Sequence, residues 1–430
     1  MQKNALSTQP YKGATDFYPK DMIVRNHLFN IWANTAKEFG YEEYDTPILE
    51  EAVLYRAKSG DELANTQLYN FFDKGGREVA IRPEMTPSVA RIIAAKFNEL
   101  QKPIRWFNIG KFYRYEKPQK GRDREFSQLN FDIFGVSEMT AEIEVFKYIG
   151  MTMKKLGAPK GSYKIYVNNR YLLDYFFDNV MNLDQSMRKA TSRAIDNFPK
   201  LKSGDFELTL EDIGLNKSQI DSLVSFMSYS LDDVRKLVTK SRGADELIVT
   251  FDLVDELNLD YVEFKPSIMR GITYYTGTVF EIFDTGGENP RALGGGGRYD
   301  DLLELFGGEK LPAVGFAMGN VTMVDFMRTY NLLPEIKPET EVYCSLMDKK
   351  YYSLCSEITD TLRSEGIKVE QQLVEMPFGK QLSYADKKGF RYVIIIGEDE
   401  VAKGVVAVKD LKNKSQQFIK KEDLASFLKG

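Results

Sequence analysis

The spacing of apolar positions first becomes regular near the N-terminus, where Ile23, Val24, Leu28, Ile31, Trp32 and Phe39 fall on one helical face. That period predicts an amphipathic helix, capped by Asp21 and ended at Gly40. Strand-like stretches follow over 41–49, 78–82, 105–116 and 125–134, with one helical run over 86–98. Residues 165–258 differ: the pattern is mainly helical (172–181, 219–227, 232–237) and carries few polar clusters, as an inserted domain would. Strand signals return over 268–276 and 278–284, and a short helix is expected over 299–306. Pro334 and Pro338 mark 331–340 as a linker. Beyond it, strands over 342–346, 367–371, 392–397 and 405–411 alternate with helices over 351–365, 380–388 and 423–428. That rhythm predicts a small α/β domain over 341–430. The expected organisation is therefore a core in two parts, 1–164 and 259–330, around a 165–258 insertion, then the linker and the terminal domain.

Composition narrows the chemistry. The 430 residues suffice for two or three domains. No apolar run approaches a membrane span, and the polar start does not read as a signal peptide, so a cytoplasmic protein is expected. Cys344 and Cys355, the only cysteines, cannot form a thiolate zinc site and are expected as buried free thiols. His27 is the only histidine and lies on the first helix; one imidazole cannot build a histidine metal cluster, a Ser-His-Asp triad would depend on it alone, and a structural role is expected for it. No protein-ligated metal is expected. The net charge of −5 gives no bulk attraction to nucleic acid, so any RNA contact must use local patches. Carboxylates, arginines and tyrosines are left to do the chemistry.

Three segments concentrate such residues. Alternation places Phe112, Arg114 and Glu116 on one face of a strand, and Phe126, Gln128, Asn130 and Asp132 on one face of the next. The loop between them, 117–124, holds four cations. Polar residues at alternate positions in aromatic strands suit the floor of a wet pocket; a solvated edge hairpin fits the spacing equally well. The second segment is Arg270-Gly-Ile-Thr-Tyr-Tyr-Thr-Gly-Thr-Val-Phe-Glu281, and the third Leu293-Gly-Gly-Gly-Gly-Arg-Tyr-Asp300. Four consecutive glycines read as a loop, or as backbone approached closely by a ligand or by another backbone.

Residues 114–135, RYEKPQKGRDREFSQLNFDIFG, resemble the second signature motif of class II aminoacyl-tRNA synthetases in its histidyl form. RGITYYTGTVFE and GGGGRYD resemble segments peculiar to histidyl-tRNA synthetases, and Asp45-Thr-Pro-Ile-Leu-Glu50 resembles the first class II motif, which in that family forms the dimer interface. GKQLSYADKKG and RYVIIIGEDE resemble its C-terminal anticodon-binding domain. The likeness spans nearly the whole chain, excepting the first ten residues and the insertion. It implies an α+β catalytic domain built on an antiparallel sheet flanked by helices, with a helical insert and a C-terminal α/β anticodon-binding domain. It also implies a homodimeric histidine–tRNA ligase that converts histidine and ATP, with Mg2+, to histidyl-adenylate and pyrophosphate, then charges tRNA(His). The alternative is an inactive synthetase-like regulatory subunit of ATP phosphoribosyltransferase, although such relatives generally lack the anticodon domain.

By the resemblance, Arg114 and Arg270 are catalytic, gripping the α-phosphate from opposite sides. Glu84, Met85, Thr86, Gln128, Asp132, Arg270, Tyr274 and Tyr275 would bind histidine, with Asp132 and Tyr275 on the imidazole. Arg114, Glu116, Arg122, Arg124 and Arg298 would bind ATP; Gln119, Lys120, Lys380 and Lys409 would meet tRNA. The third class II motif usually carries an arginine that reaches the γ-phosphate, but Gly315-Phe-Ala-Met-Gly-Asn-Val-Thr322 ends in threonine. Arg328 lies on another helical face, so the outer phosphates need Mg2+ or a cation from elsewhere: Arg298 first, then Arg77 or Arg82. Ser127 also stands where many relatives have histidine.

Overall fold

The computed structural model describes residues 6–57, 63–117, 119, 121–198, 204–269, 274–287 and 291–430. The chain divides into two units, Met1–Pro334 and Glu335–Gly430. In chain order the strands are β1 (Glu42–Glu43), β2 (Leu49–Glu51), β3 (Tyr69–Phe72), β4 (Glu78–Ile81), β5 (Ile104–Tyr113), β6 (Glu125–Phe134), β7 (Tyr163–Asn169) and β8 (Val262–Phe264). They continue with β9 (Thr278–Asp284), β10 (Gly294–Arg298), β11 (Ala313–Gly319), β12 (Val342–Cys344), β13 (Val369–Gln371), β14 (Tyr392–Ile395), β15 (Val405–Asp410) and β16 (Ser415–Lys420).

Unit 1 is built on an eight-stranded sheet of order β1-β5-β6-β11-β10-β9-β7-β8. Its central pairs are antiparallel; only the edge pairs β1·β5 and β7·β8 run parallel. One face is apolar. Leu129, Phe131 and Ile133 of β6 alternate onto it and meet the helices Pro19–Glu38 and Thr140–Lys155. Phe131 is stacked between Tyr41 and Tyr148, with ring centroids 3.8 and 4.0 Å away, and the Tyr148 hydroxyl donates to the Trp32 carbonyl at 3.0 Å. The first helix starts at Pro19, earlier than expected, and Asp21 acts from inside it by accepting from the Tyr18 amide at 3.0 Å. Gly40 follows at φ +79°, as a helix-ending glycine should. His27 is half-buried on this helix.

Among the described residues, six helices lie between β7 and β8, from Arg170–Asn179 to Arg242–Glu256. The expected boundary at 165 falls inside β7, and Phe176, Phe206, Leu223 and Phe251 join the same core as Trp32 and Phe131. These helices extend the first unit's core. No strand forms among the described residues of 268–276; Tyr274 and Tyr275 there turn inward instead of pairing. The glycine run, in contrast, is a central strand, paired on both sides. A separate three-stranded sheet has the order β2-β4-β3.

Unit 2 is a five-stranded sheet, β13-β12-β14-β15-β16, with helices Tyr352–Ser364 and Phe378–Lys388. The expected alternation is present, with one strand more: β16 is polar and largely exposed at the sheet edge. Cys344 and Cys355 are buried free thiols in its core.

Candidate functional site

Register determines what lies on the second face of the large sheet. On β6, Gln128, Asn130 and Asp132 point to it, and their partners on β11 are Gly319, Ala317 and Gly315. Those pair onward so that Gly295 and Gly297 of β10, then Glu281 and Val279 of β9, share the face. The result is a trough: a floor of glycine and alanine with a polar wall on β6. A Cβ at Gly315 would overlap Asp132 Oδ1, and one at Gly297 would lie 2.8 Å from the Tyr275 ring. The run is therefore glycine because neighbours close in on its backbone.

Two cavities occupy the trough. The enclosed one is lined by Glu84, Thr86, Arg114, Gln128, Asn130 and Asp132 on one side. Tyr274, Tyr275, Tyr299 and the floor residues Gly295, Gly315, Phe316 and Ala317 complete it. The Tyr274 hydroxyl donates to Glu84 Oε2 at 2.8 Å, and the Tyr299 hydroxyl donates to Asp132 Oδ1. Burial pushes the Asp132 pKa up to about 7, although the Tyr299 hydrogen bond opposes the rise. Asn130 Nδ2 is buried in this pocket with no partner among the described residues. The wider cavity, about 210 Å³, opens to solvent. Its wall carries Arg114, Glu116, Arg122 and Phe126, with Glu281, Leu293 and Thr322 opposite. Arg122 forms an ion pair with the buried Glu116. Arg114 donates to the Pro83 carbonyl at 3.0 Å, its guanidinium 5.3 Å from the Phe126 ring centroid.

Most of the expected residues thus converge: Glu84, Thr86, Asp132, Tyr274 and Tyr275 on the enclosed pocket, Glu116 and Arg122 on the open one, and Arg114 and Gln128 on both. Arg270 and Lys120 lie outside the described residues. Met85 does not line either cavity; it is buried behind, its sulfur accepting from the Thr46 hydroxyl at 3.3 Å. Arg124 is likewise turned away from the open cavity. It donates to the Glu116 carbonyl and the Tyr11 hydroxyl and lies over the Tyr115 ring at 4.2 Å, tying the loop to the N-terminal segment.

The expectation for Arg298 is overturned. Period-two alternation puts Gly294, Gly296 and Arg298 on the face opposite the trough. There Arg298 is 1% exposed and bonds both carboxylate oxygens of Glu142, at 2.7 and 2.6 Å. A guanidinium so enclosed cannot reach a ligand on the other side of the sheet. Arg82 is also committed, to Asp45, the Thr46 carbonyl and the Lys111 carbonyl, and Arg77 pairs with Asp73 in the turn before β4. Arg328 pairs with Asp325 on the surface. Thr322 sits in the first turn of the helix Asn320–Thr329, its hydroxyl donating to the Leu293 carbonyl at 3.3 Å. Ser127 offers its amide to Asn320 Oδ1 at 2.8 Å, joining that helix to β6.

Sequence reasoning placed Asn130 on the candidate pocket floor without a ligand role, and did not assign Glu281, Tyr299 or Gly315 to the site. Alternation with Gln128 and Asp132 marked Asn130, and alternation from Gly295 and Gly297 to Tyr299 marked the tyrosine. Of the expected tRNA residues, Gln119 bridges to Arg122 in the hairpin loop, Lys380 is exposed on the helix Phe378–Lys388, and Lys409 lies on β15. Among the described residues no acid, cysteine or histidine cluster could hold a metal ion, and no helix is long and apolar enough to cross a membrane.

Comparison with known proteins identifies the family. Residues 13–322 match a family model described as histidyl-tRNA synthetase, and residues 340–430 one described as anticodon binding domain. A histidine–tRNA ligase of Leptospira biflexa is 41% identical over 97% of this chain and 96% of its own. One from Opitutus terrae is 38% identical over 98% of each chain. The crystal structure of a Nostoc histidyl-tRNA synthetase superposes with a TM-score of 0.82 over 99% of both chains at 24% identity. The apo Staphylococcus aureus enzyme gives 0.72 at 21%, covering 99% of this chain and 100% of that one. The two structures share the fold.

Proposed function

The chain belongs to the histidyl-tRNA synthetase family, and from that premise we propose how its trough carries out histidine–tRNA ligation. The activity is that of an aminoacyl-tRNA synthetase: histidine and ATP give histidyl-adenylate and pyrophosphate, and the histidyl group then passes to tRNA(His). The carrying observation is that the two cavities share Arg114, Gln128, Gly295 and Ala317. The enclosed pocket takes histidine, the open one takes ATP, and the shared residues surround the point where carboxylate oxygen meets the α-phosphorus. The nucleophile is already ionised, so no base is needed; positioning and cationic stabilisation of the phosphorane supply the rate.

Glu84, with Tyr274 fixing one oxygen, receives the α-ammonium together with Thr86 and Gln128. Asp132 and Tyr275 recognise the imidazole, and a pocket built to pair both ring nitrogens rejects side chains that cannot. Arg114 holds the α-phosphate, with Arg270 opposite. Arg122 and Glu116 flank the nucleotide, and Phe126 offers a ring face for the adenine. Glu116 and Glu281 are oxygen donors suited to Mg2+ carried in by the phosphates, where it would neutralise the leaving pyrophosphate. Gln119 and Lys120 of the hairpin loop meet the acceptor end, and Lys380 and Lys409 the anticodon stem. Exposed apolar Ile48, Leu49, Val53 and Phe72 around the first class II motif support a homodimer, and cytoplasmic residence suits the substrates. The regulatory-subunit reading is disfavoured by ligase relatives that match the full length, anticodon domain included.

ATP–pyrophosphate exchange with each of the twenty amino acids tests the proposal. Exchange with histidine alone is expected. Exchange driven by another amino acid refutes the pocket assignment, and tight histidine binding without exchange favours the regulator.

A further inference from the structure

The open cavity ends at the first turn of the helix Asn320–Thr329, where this chain has Thr322 instead of the arginine of the third class II motif. The Thr322 hydroxyl is not directed at a ligand: it bonds the Leu293 carbonyl at 3.3 Å and the Gly319 carbonyl at 3.4 Å. Those bonds draw the segment entering β10 against the helix start, so that Ala292 and Leu293 form the cavity wall across from Arg122. Arg291 immediately precedes this wall and is half-buried. Two cavity-lining groups act on its charge: burial and then the repulsion from Arg122 lower its pKa, and Glu116 acts against them. Arg291 thus stands at the edge of the open cavity, next to its lining residue Ala292 and within electrostatic reach of Arg122, where a guanidinium can meet a polyanion.

We propose that Arg291 supplies the cationic contact to the outer phosphates of ATP, in place of the arginine missing at Thr322. The position is reached from β10 rather than from the helix, with the Thr322–Leu293 hydrogen bond holding it there. A threonine at 322 is then part of the device. This proposal rests on the assignment of the open cavity to ATP.

The test compares equilibrium binding of ATP and AMP to full-length Arg291→Ala, Arg291→Lys and Ala317→Leu enzymes, with thermal melting as a check of folding. Arg291→Ala is expected to weaken ATP by roughly 10- to 100-fold, the effect of one charge-assisted bond, and to leave AMP within about twofold. Arg291→Lys should recover part of the ATP loss, which a merely structural role would not give. Thr322→Arg placed in the Arg291→Ala background should also restore ATP binding. Unchanged ATP affinity in a folded Arg291→Ala enzyme, or equal loss of ATP and AMP, overturns the proposal. Ala317→Leu fills the cavity floor and tests the underlying assignment separately: it should weaken both nucleotides. If it does so while Arg291→Ala has no effect, only the arginine's role falls; if it affects neither nucleotide, the cavity is not the ATP site.

Discussion

Gly315 lies directly opposite Asp132 in the β6–β11 ladder, so close that any Cβ at 315 would collide with the Asp132 carboxylate. The Tyr299 hydroxyl approaches the same carboxylate from β10's end. The acid proposed to recognise histidine is thus held between a tyrosine and bare backbone.

Gly315→Ala should therefore displace Asp132 without touching the open cavity. The KM for histidine is expected to rise about tenfold or more, the consequence of misplacing one charged hydrogen-bond partner, while the KM for ATP stays nearly constant. Steady-state exchange kinetics with each substrate varied would show it. A rise in the ATP KM alone would contradict the assignment of the enclosed pocket.

The raised pKa of Asp132 gives a pH signature. In the free enzyme this carboxyl holds its proton up to about pH 7, against about 4 in an unfolded chain. Between those values the folded state binds the extra proton, so this group's contribution to stability declines as pH rises through the window. For histidine the sign is opposite: an ionised Asp132 accepts from an imidazole N–H, so affinity should fall as pH drops below about 7. Asp132→Asn should remove that step from the affinity profile. If the variant and the parent show the same profile, only the substrate's own titration is being seen.

The Arg298–Glu142 pair, both members under 2% exposed, predicts a stability effect with no kinetic counterpart. Arg298→Met alone leaves a buried carboxylate and should cost about 3–5 kcal/mol, whereas Arg298→Met with Glu142→Leu should recover most of it. Denaturant unfolding of the three enzymes decides this. An ATP KM shift in the double variant exceeding any change in melting would return Arg298 to the nucleotide.

Removing residues 335–430 takes away one whole unit and leaves the sheet that carries the trough intact. Exchange activity should largely survive, while charging of tRNA(His) should drop roughly tenfold or more, equivalent to losing about 1.4 kcal/mol of contact. Loss of both activities together would assign unit 2 a role in the first unit's integrity.

Regular alternation made β6 legible from sequence to the residue, because it has one largely apolar face and one polar one. Glycine disfavours strands, so the run reads from sequence as a loop or a close backbone approach; the second holds, within a strand paired on both sides in the sheet centre. The stretch around Tyr274 and Tyr275 was misread for the converse reason: its β-formers serve a pocket rather than a ladder. β16, nearly all polar, carries no burial signal. Within the site, the error about Arg298 was one of parity. Glycines 295 and 297 face the trough, so residue 298 could not, and only knowledge that the run is a strand reveals it.

The doubly paired glycine strand has a consequence for motion. Glycine amides in loops exchange with solvent rapidly, but those of β10 lie between two long neighbours in the middle of the sheet, and fraying from either edge does not reach them. Their hydrogen exchange should follow only whole-domain unfolding. The most flexible sequence in the chain would then report the most cooperative event in it.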